Sequence, residues 1–140
     1  MLPDMEAEAP DRSYIPVVAA VIERAGAYLI CQRPLDKRHG GLWEFPGGKL
    51  LDGESPLEGA SRELWEELEL EVQTVGDPLL SLQDPDSDFL ISFCPVEAFG
   101  EPKPLEHIDV RWVEPSELLD FDLAPSDRQF AETLAFRAGG

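Results

Sequence analysis

Basic residues are scarce. Lys and Arg number 11 against 29 Asp and Glu, a formal net charge of −18 in 140 residues. No basic stripe is available to displace counterions from a phosphate backbone, which excludes long nucleic acids and anionic membranes as partners. A small anion remains admissible if divalent cations stand between it and the carboxylates; solubility is the bland explanation of the same charge. Long apolar runs are also missing, and none approaches the roughly 18 consecutive residues of a membrane-spanning helix. Residues 1–12 carry Asp4, Glu6, Glu8 and Asp11 without an apolar stretch. They resemble neither a secretory signal nor an Arg-rich transit peptide, so a cytoplasmic address is the default expectation. There are two cysteines, Cys31 and Cys94, both within apolar runs. Buried, reduced thiols are expected there rather than a disulfide or a zinc site.

What is present suits an ordinary globular core: 43% of residues are hydrophobic, and the length fits one domain. Residues 1–13, rich in acid, Ala and Pro, read as a disordered tail. The domain is expected over residues 14–136, with residues 137–140 fraying. Tyr14 to Ile22 is apolar on both faces, as in a central strand covered twice. Ala27 to Gln32 returns as the second arm of a hairpin. Pro34 to Gly41 reads as a mobile loop and Leu42 to Phe45 as a short strand. Pro46-Gly47-Gly48 is expected to interrupt regular structure. Val72 to Leu82 and Asp88 to Phe99 read as strands around an Asp84-Pro85-Asp86-Ser87 turn, with Pro95 marking an edge or irregular position. A short strand at Val110 to Val113, a short helix from Pro115 and a last helix from Ala124 to Phe136 complete the order. Strands, helix, strands, helix imply an α+β fold, an α/β/α sandwich with a mixed β-sheet between helices.

The clearest element is the helix after Ser55. Ser55 suits the N-cap, Pro56 the first turn, and Glu58 closes a capping box. Leu57, Ala60, Leu64 and Leu68 form its apolar stripe, with Trp65 at the border. Glu63, Glu66 and Glu67 share another side. Like charges four apart cost a few tenths of a kcal/mol (~0.2–0.5), and only Arg62 offsets them locally. Hard divalent ions bind such oxygens; a solvated acidic face is the plain alternative. Gly47 and Gly48, which let backbone approach a ligand, and Glu54, in the loop entering the helix, lie just before it.

These residues carry a resemblance. Gly48 to Glu54, seven further residues, and then Arg62-Glu63-Leu64-Trp65-Glu66-Glu67-Leu68-Glu69-Leu70 resemble the Nudix box, G-x5-E-x7-R-E-U-x-E-E-x-G-U. Only Glu69 departs, standing where the family has glycine. A glycine there suits a left-handed helix C-cap, so Glu69 should cost about 1 kcal/mol. Leu42 to Lys49 is similar to the approach to the box in MutT-type nucleoside triphosphate pyrophosphohydrolases. Leu123 to Asp127 is similar to a base-pocket segment, most nearly that of bacterial enzymes acting on cytidine nucleotides. MutT has Asn at the place of Asp127.

The resemblance implies a Nudix fold and Mg²⁺-dependent hydrolysis of a nucleoside triphosphate to monophosphate and pyrophosphate, with Mn²⁺ as a substitute ion. It points to sanitation of oxidised guanine or cytidine nucleotides. Glu63, Glu66, Glu67 and the Gly47 carbonyl would hold metal, joined by Glu106 from a distal loop. Glu63 or Glu106 would be the base, Glu54 would orient a ligand or water, and Arg62 would fix a box carboxylate. Arg33, Phe45, Gly48, Lys49 and Asp127 stand on the substrate side. Each has a plainer reading: Arg33 as a strand-end surface residue, Phe45 with Trp43 as core, Glu106 as a loop acid, Asp127 as an N-cap. His39 and His107 lack metal-ligand spacing and are assigned no catalysis. Sugar-nucleotide or ADP-ribose pyrophosphatases and silent binding modules are the alternatives; a monomer or homodimer is expected.

Overall fold

The computed structural model describes residues 13–139, so almost all of the expected acidic tail lies outside the described residues. The chain runs β1 (Ile15–Val21), β2 (Glu23–Arg24), β3 (Ala27–Gln32), β4 (Trp43–Glu44), β5 (Gly47–Lys49), α1 (Pro56–Leu68), β6 (Glu71–Val75), β7 (Leu80–Gln83), β8 (Phe89–Phe99) and β9 (Asp109–Val113). A 3₁₀ helix (Pro115–Asp120) and α2 (Pro125–Gly139) follow. The first sheet has the order β5-β1-β8-β6, with β7 also on β8. Its β1–β8 pair is parallel and its other pairs antiparallel, so it is mixed. The second sheet is built on β3, which pairs β2, β4 and β9.

Alternation along β1 explains the layers. Ala19 and Val21 point into a core with Ile30, Phe45, Phe93, Phe130 and Leu134, under α2. Ala20 and Ile22 point into a second core with Leu29, Cys31, Leu64 and Leu68, under α1. A strand buried on both faces must be apolar throughout, and the run from Val17 to Ile22 is. Both cysteines are free and buried.

Several local expectations are corrected. β1 does not form the hairpin arm: the chain changes sheets at Ile22, and the short β2 turns onto β3. Gly47 and Gly48 continue regular structure, as β5 beside β1. Gly47 has φ 152° and lies so close to β1 that a Cβ there would strike the Val18 carbonyl, which only glycine permits. The expected strand over Val72 to Leu82 is two strands, because Gly76-Asp77-Pro78 breaks it; both then pair β8 at different registers. Pro95 sits at that change of partner, inside a central strand rather than at an edge. On α1, Leu57 is 45% exposed, while Ala60, Leu64 and Leu68 are buried. The last helix starts at Pro125 and reaches Gly139, past the expected fraying point.

Candidate active site

A cavity of about 500 Å³ has Glu44, Glu63, Glu67, Asp84, Glu106 and Asp127 in its lining. α1 supplies Glu63 and Glu67 because its register is firmly set. Ser55 accepts from the Glu58 N–H at 3.1 Å and Glu58 accepts from the Ser55 N–H at 2.9 Å, the expected capping box. At the other end Glu69 takes φ 57°, ψ 37°, the left-handed conformation foreseen for the replaced glycine. Below it, the last carbonyls of α1 accept from the loop before β9: Lys103 N–H on Leu68 and Leu105 N–H on Glu67, at 3.0 and 3.1 Å. Satisfying these orphan acceptors brings Glu106 to the cavity beside Glu63 and Glu67.

Glu67 is the unusual group. It is 7% exposed, and its Oε1 has no hydrogen-bond partner. Burial pushes its carboxyl far above the usual range, helped by the hydrogen bond with Glu63 and the charges of Glu44, Glu63 and Glu106. Gly48 passes so close to Glu63 that any Cβ would collide with that carboxylate. Arg62 does not reach Glu67. It grips Glu54 through two hydrogen bonds of 2.8 and 3.0 Å, donates to the Lys49 carbonyl, and touches Glu63 at 3.3 Å and Glu66 at 3.6 Å. Arg62 and the Leu51 N–H hold the Glu54 carboxyl down at about 2.

A buried carboxyl in contact with a second, half-buried one resists ionising unless a positive charge stands beside it. An unpartnered, dry oxygen and an all-oxygen donor set fit a hard divalent ion. Among the described residues no three such side chains already converge in metal-holding geometry; Glu63 and Glu67 face each other, and Glu66 is half-exposed beside Arg62. Glu63, Glu67 and the Gly47 carbonyl could hold a cation, with Glu66 and Glu106 at its margin.

The other predicted residues divide. Asp127 is the third residue of α2 rather than its N-cap. It is 6% exposed, and its Oδ2 accepts the Phe45 N–H at 2.9 Å. Burial first, then the Glu44 charge, raises its carboxyl well above the ordinary range. Phe45 is 2% exposed and packs edge-on against Phe93 and Phe130, so its ring is core. Trp43 shares that side, edge-on to Phe121. Arg33 is half-buried and engaged: it donates to Glu44 at 2.8 Å and to the Arg38 carbonyl. Lys49 is exposed at the rim, its ammonium 5.8 Å from the Phe89 ring.

Glu44, His107 and Asp84 escaped the sequence reading. His107 Nε2 lies 3.0 Å from Glu44 and 3.9 Å from Glu67, while its buried Nδ1 has no partner. The available signals were Glu44 alternating with two aromatics on a short strand, and His107 adjoining Glu106.

A family model described as the NUDIX domain matches residues 13–134. The CTP pyrophosphohydrolase of Escherichia coli (strain K12) is 41% identical over 128 residues, covering 89% of this chain and 94% of that protein. The putative 8-oxo-dGTP diphosphatase 2 of Mycobacterium tuberculosis (strain ATCC 25618 / H37Rv) is 36% identical over 132 residues, covering 89% and 90%. The solution structure of the E. coli ORF135 protein superposes with a TM-score of 0.77 at 39% identity, covering 93% of this chain and 95% of that one.

Proposed function

Because the chain belongs to the NUDIX family, whose members generally use a divalent metal, we propose that it hydrolyses nucleoside triphosphates to monophosphate and pyrophosphate with Mg²⁺. The observation that carries this reading is the buried, unpartnered Glu67 oxygen beside Glu63 in the lining of the cavity. The names of the E. coli and M. tuberculosis relatives support cytidine or oxidised-guanine triphosphates as substrates.

In this reading Glu63, Glu67 and the Gly47 carbonyl hold the ion, with Glu66 and Glu106 beside it. A divalent cation there supplies Lewis acidity and offsets the charge of the polyphosphate. The chain's own contribution is placement, which dominates phosphoryl-type displacement. Arg62, clamped on Glu54 and the Lys49 carbonyl, keeps the Glu63 end of α1 against β5. Gly48, lacking a Cβ, lets the Glu63 carboxylate pack against β5. Glu63 or Glu106 accepts the proton of the attacking water. Asp127, whose Oδ2 accepts the Phe45 N–H, lines the cavity and presents its carboxyl to a base edge such as the N4 amino group of cytosine.

The test is a panel of canonical, methylated and oxidised triphosphates, ADP-ribose and sugar nucleotides, each with Mg²⁺. Pyrophosphate release from cytidine or oxidised-guanine triphosphates, abolished by chelator, is the expected result. Cleavage of sugar nucleotides alone overturns it.

A further inference from the structure

On the wall of the same cavity, one buried acid joins three separate parts of the chain. Asp84 opens the turn between β7 and β8 and is 4% exposed. Its Oδ1 accepts the Ser126 hydroxyl at 2.7 Å, from the first turn of α2. Its Oδ2 accepts Arg38 Nη2 at 2.8 Å and lies 3.4 Å from His39 Nε2, both on the loop between β3 and β4. Arg38 also donates to the Pro85 carbonyl at 3.0 Å. The backbone of Asp84 is fixed in turn, its N–H on Phe89 O and its carbonyl accepting the Ser87 hydroxyl. The loop's bonds to Asp84 and Pro85 are nonlocal, and Arg38, His39 and Asp84 line the cavity.

The loop's other bonds run to itself and to its own stem: Lys37 to Pro34, Leu42 to His39, Gly41 N–H to the Arg33 carbonyl, Arg33 to the Arg38 carbonyl and Gln32 to the Gly41 carbonyl. Leu35 is 80% exposed, and among the described residues only the contacts with Asp84 and Pro85 tie the loop tip to a distant part of the chain. His39 sits at φ 58°, a conformation that costs a non-glycine residue energy and persists only when its surroundings impose it. The ion pair with Arg38 is half-shielded from water and charge-assisted, unlike the exposed pairs that contribute little. Ser126 and Asp127 are adjacent, so the first turn of α2 holds two cavity walls. One is the loop, through Asp84; the other is the segment just after β4, through the Phe45 N–H.

We propose that Asp84 is a positioning residue that latches the loop of residues 34–41 onto the cavity wall, and that this latch sets which nucleobase fits against it. The inference rests on the proposed triphosphate hydrolysis for its substrate, but the latch itself is a property of the free protein. Asp84 touches no reacting atom. It acts through Arg38 and His39, which form the wall, and through Ser126, which registers α2 against it.

The experiment compares wild type with Asp84→Asn, Arg38→Met and Ser126→Ala. Asp84→Asn keeps shape while removing the charge; Arg38→Met alters a partly exposed side chain and guards against a folding failure. The first readout is amide hydrogen exchange by mass spectrometry without nucleotide or metal. Residues 34–41 should exchange at least about tenfold faster in Asp84→Asn and Arg38→Met, a loss of local protection, while α1 is unchanged. The second readout is kinetic: KM for the preferred triphosphate should rise about tenfold with kcat kept within about threefold, the pattern of lost uniform binding. Discrimination between pyrimidine and oxidised-purine triphosphates should narrow, and Ser126→Ala should show a smaller effect in the same direction.

Unchanged exchange at residues 34–41 in both Asp84→Asn and Arg38→Met overturns the latch, whatever the enzyme hydrolyses. Faster exchange with unaltered KM and discrimination overturns the specificity role. If wild type releases pyrophosphate from no triphosphate, the proposed function and the specificity role fail together, and the exchange arm still decides the latch.

Discussion

Glu67 and Asp84 are both buried carboxyls, yet their surroundings push them in opposite directions. Burial disfavours the charge on each. At Asp84 the Arg38, Ser126 and His39 contacts outweigh burial and lower the carboxyl below its ordinary range; at Glu67 the neighbours are themselves acids and add to burial. Without metal, Glu67 must take up a proton to be buried beside its acidic neighbours at neutral pH, a cost that an amide in its place does not carry. Glu67→Gln should lose at least about a hundredfold in turnover, as expected when an electrostatic ligand of the transition state is deleted. Its melting temperature without metal should equal or exceed wild type, and full turnover in this variant contradicts the assignment. At Asp84 the sign is reversed. A carboxyl lowered in the folded state contributes stability that is present above its unfolded value of 3.8 and lost as pH falls through the folded value. Urea titrations between pH 7 and pH 2.5 should show Asp84→Asn destabilised at the upper end, the gap to wild type closing below about pH 4.

At the scale of elements, α1 was the most legible part of the chain. Its capping box, first-turn proline and apolar stripe are local signals, and the box resemblance located Glu63, Glu66 and Glu67 along with it. Even the exception was readable: Glu69 occupies the left-handed position that a glycine would fill. Glu69→Gly should stabilise the protein by about 1 kcal/mol in urea denaturation. The lost contact with Lys103, 3.0 Å long and solvent-exposed, subtracts little. Less legible were elements whose form depends on a distant partner. β5 exists because Gly47 can lie against Val18, and the break between β6 and β7 is tolerated because β8 is long enough to pair both. Glu44 meets His107 across 63 residues, and Asp84 meets Ser126 across 42. No spacing rule links such pairs; they meet because β3 holds both β4 and β9, and because α2 packs near β7. Phe45 was open in the sequence between base contact and core, and its ring, edge-on to Phe93 and Phe130, is core.

For the molecule as a whole, the charge of −18 sets conditions under which any nucleotide arrives. Self-repulsion of this size is a penalty on the compact state that salt screens. Raising NaCl from about 10 mM to about 150 mM, which shortens the Debye length from roughly 30 to 8 Å, should raise the melting temperature of the metal-free protein in a scanning fluorimetry series. A flat or falling series would show that the carboxylates are neutralised by their own local pairs. The two thiols lend the fold a clock of another kind. Cys31 lies in β3 under one core cluster and Cys94 in β8 under another, at 0% and 2% exposure. A thiol reagent can consume either only when the surrounding packing opens. Equal labelling rates would mean that the two sheets come apart as one cooperative unit; unequal rates would identify which sheet loosens first.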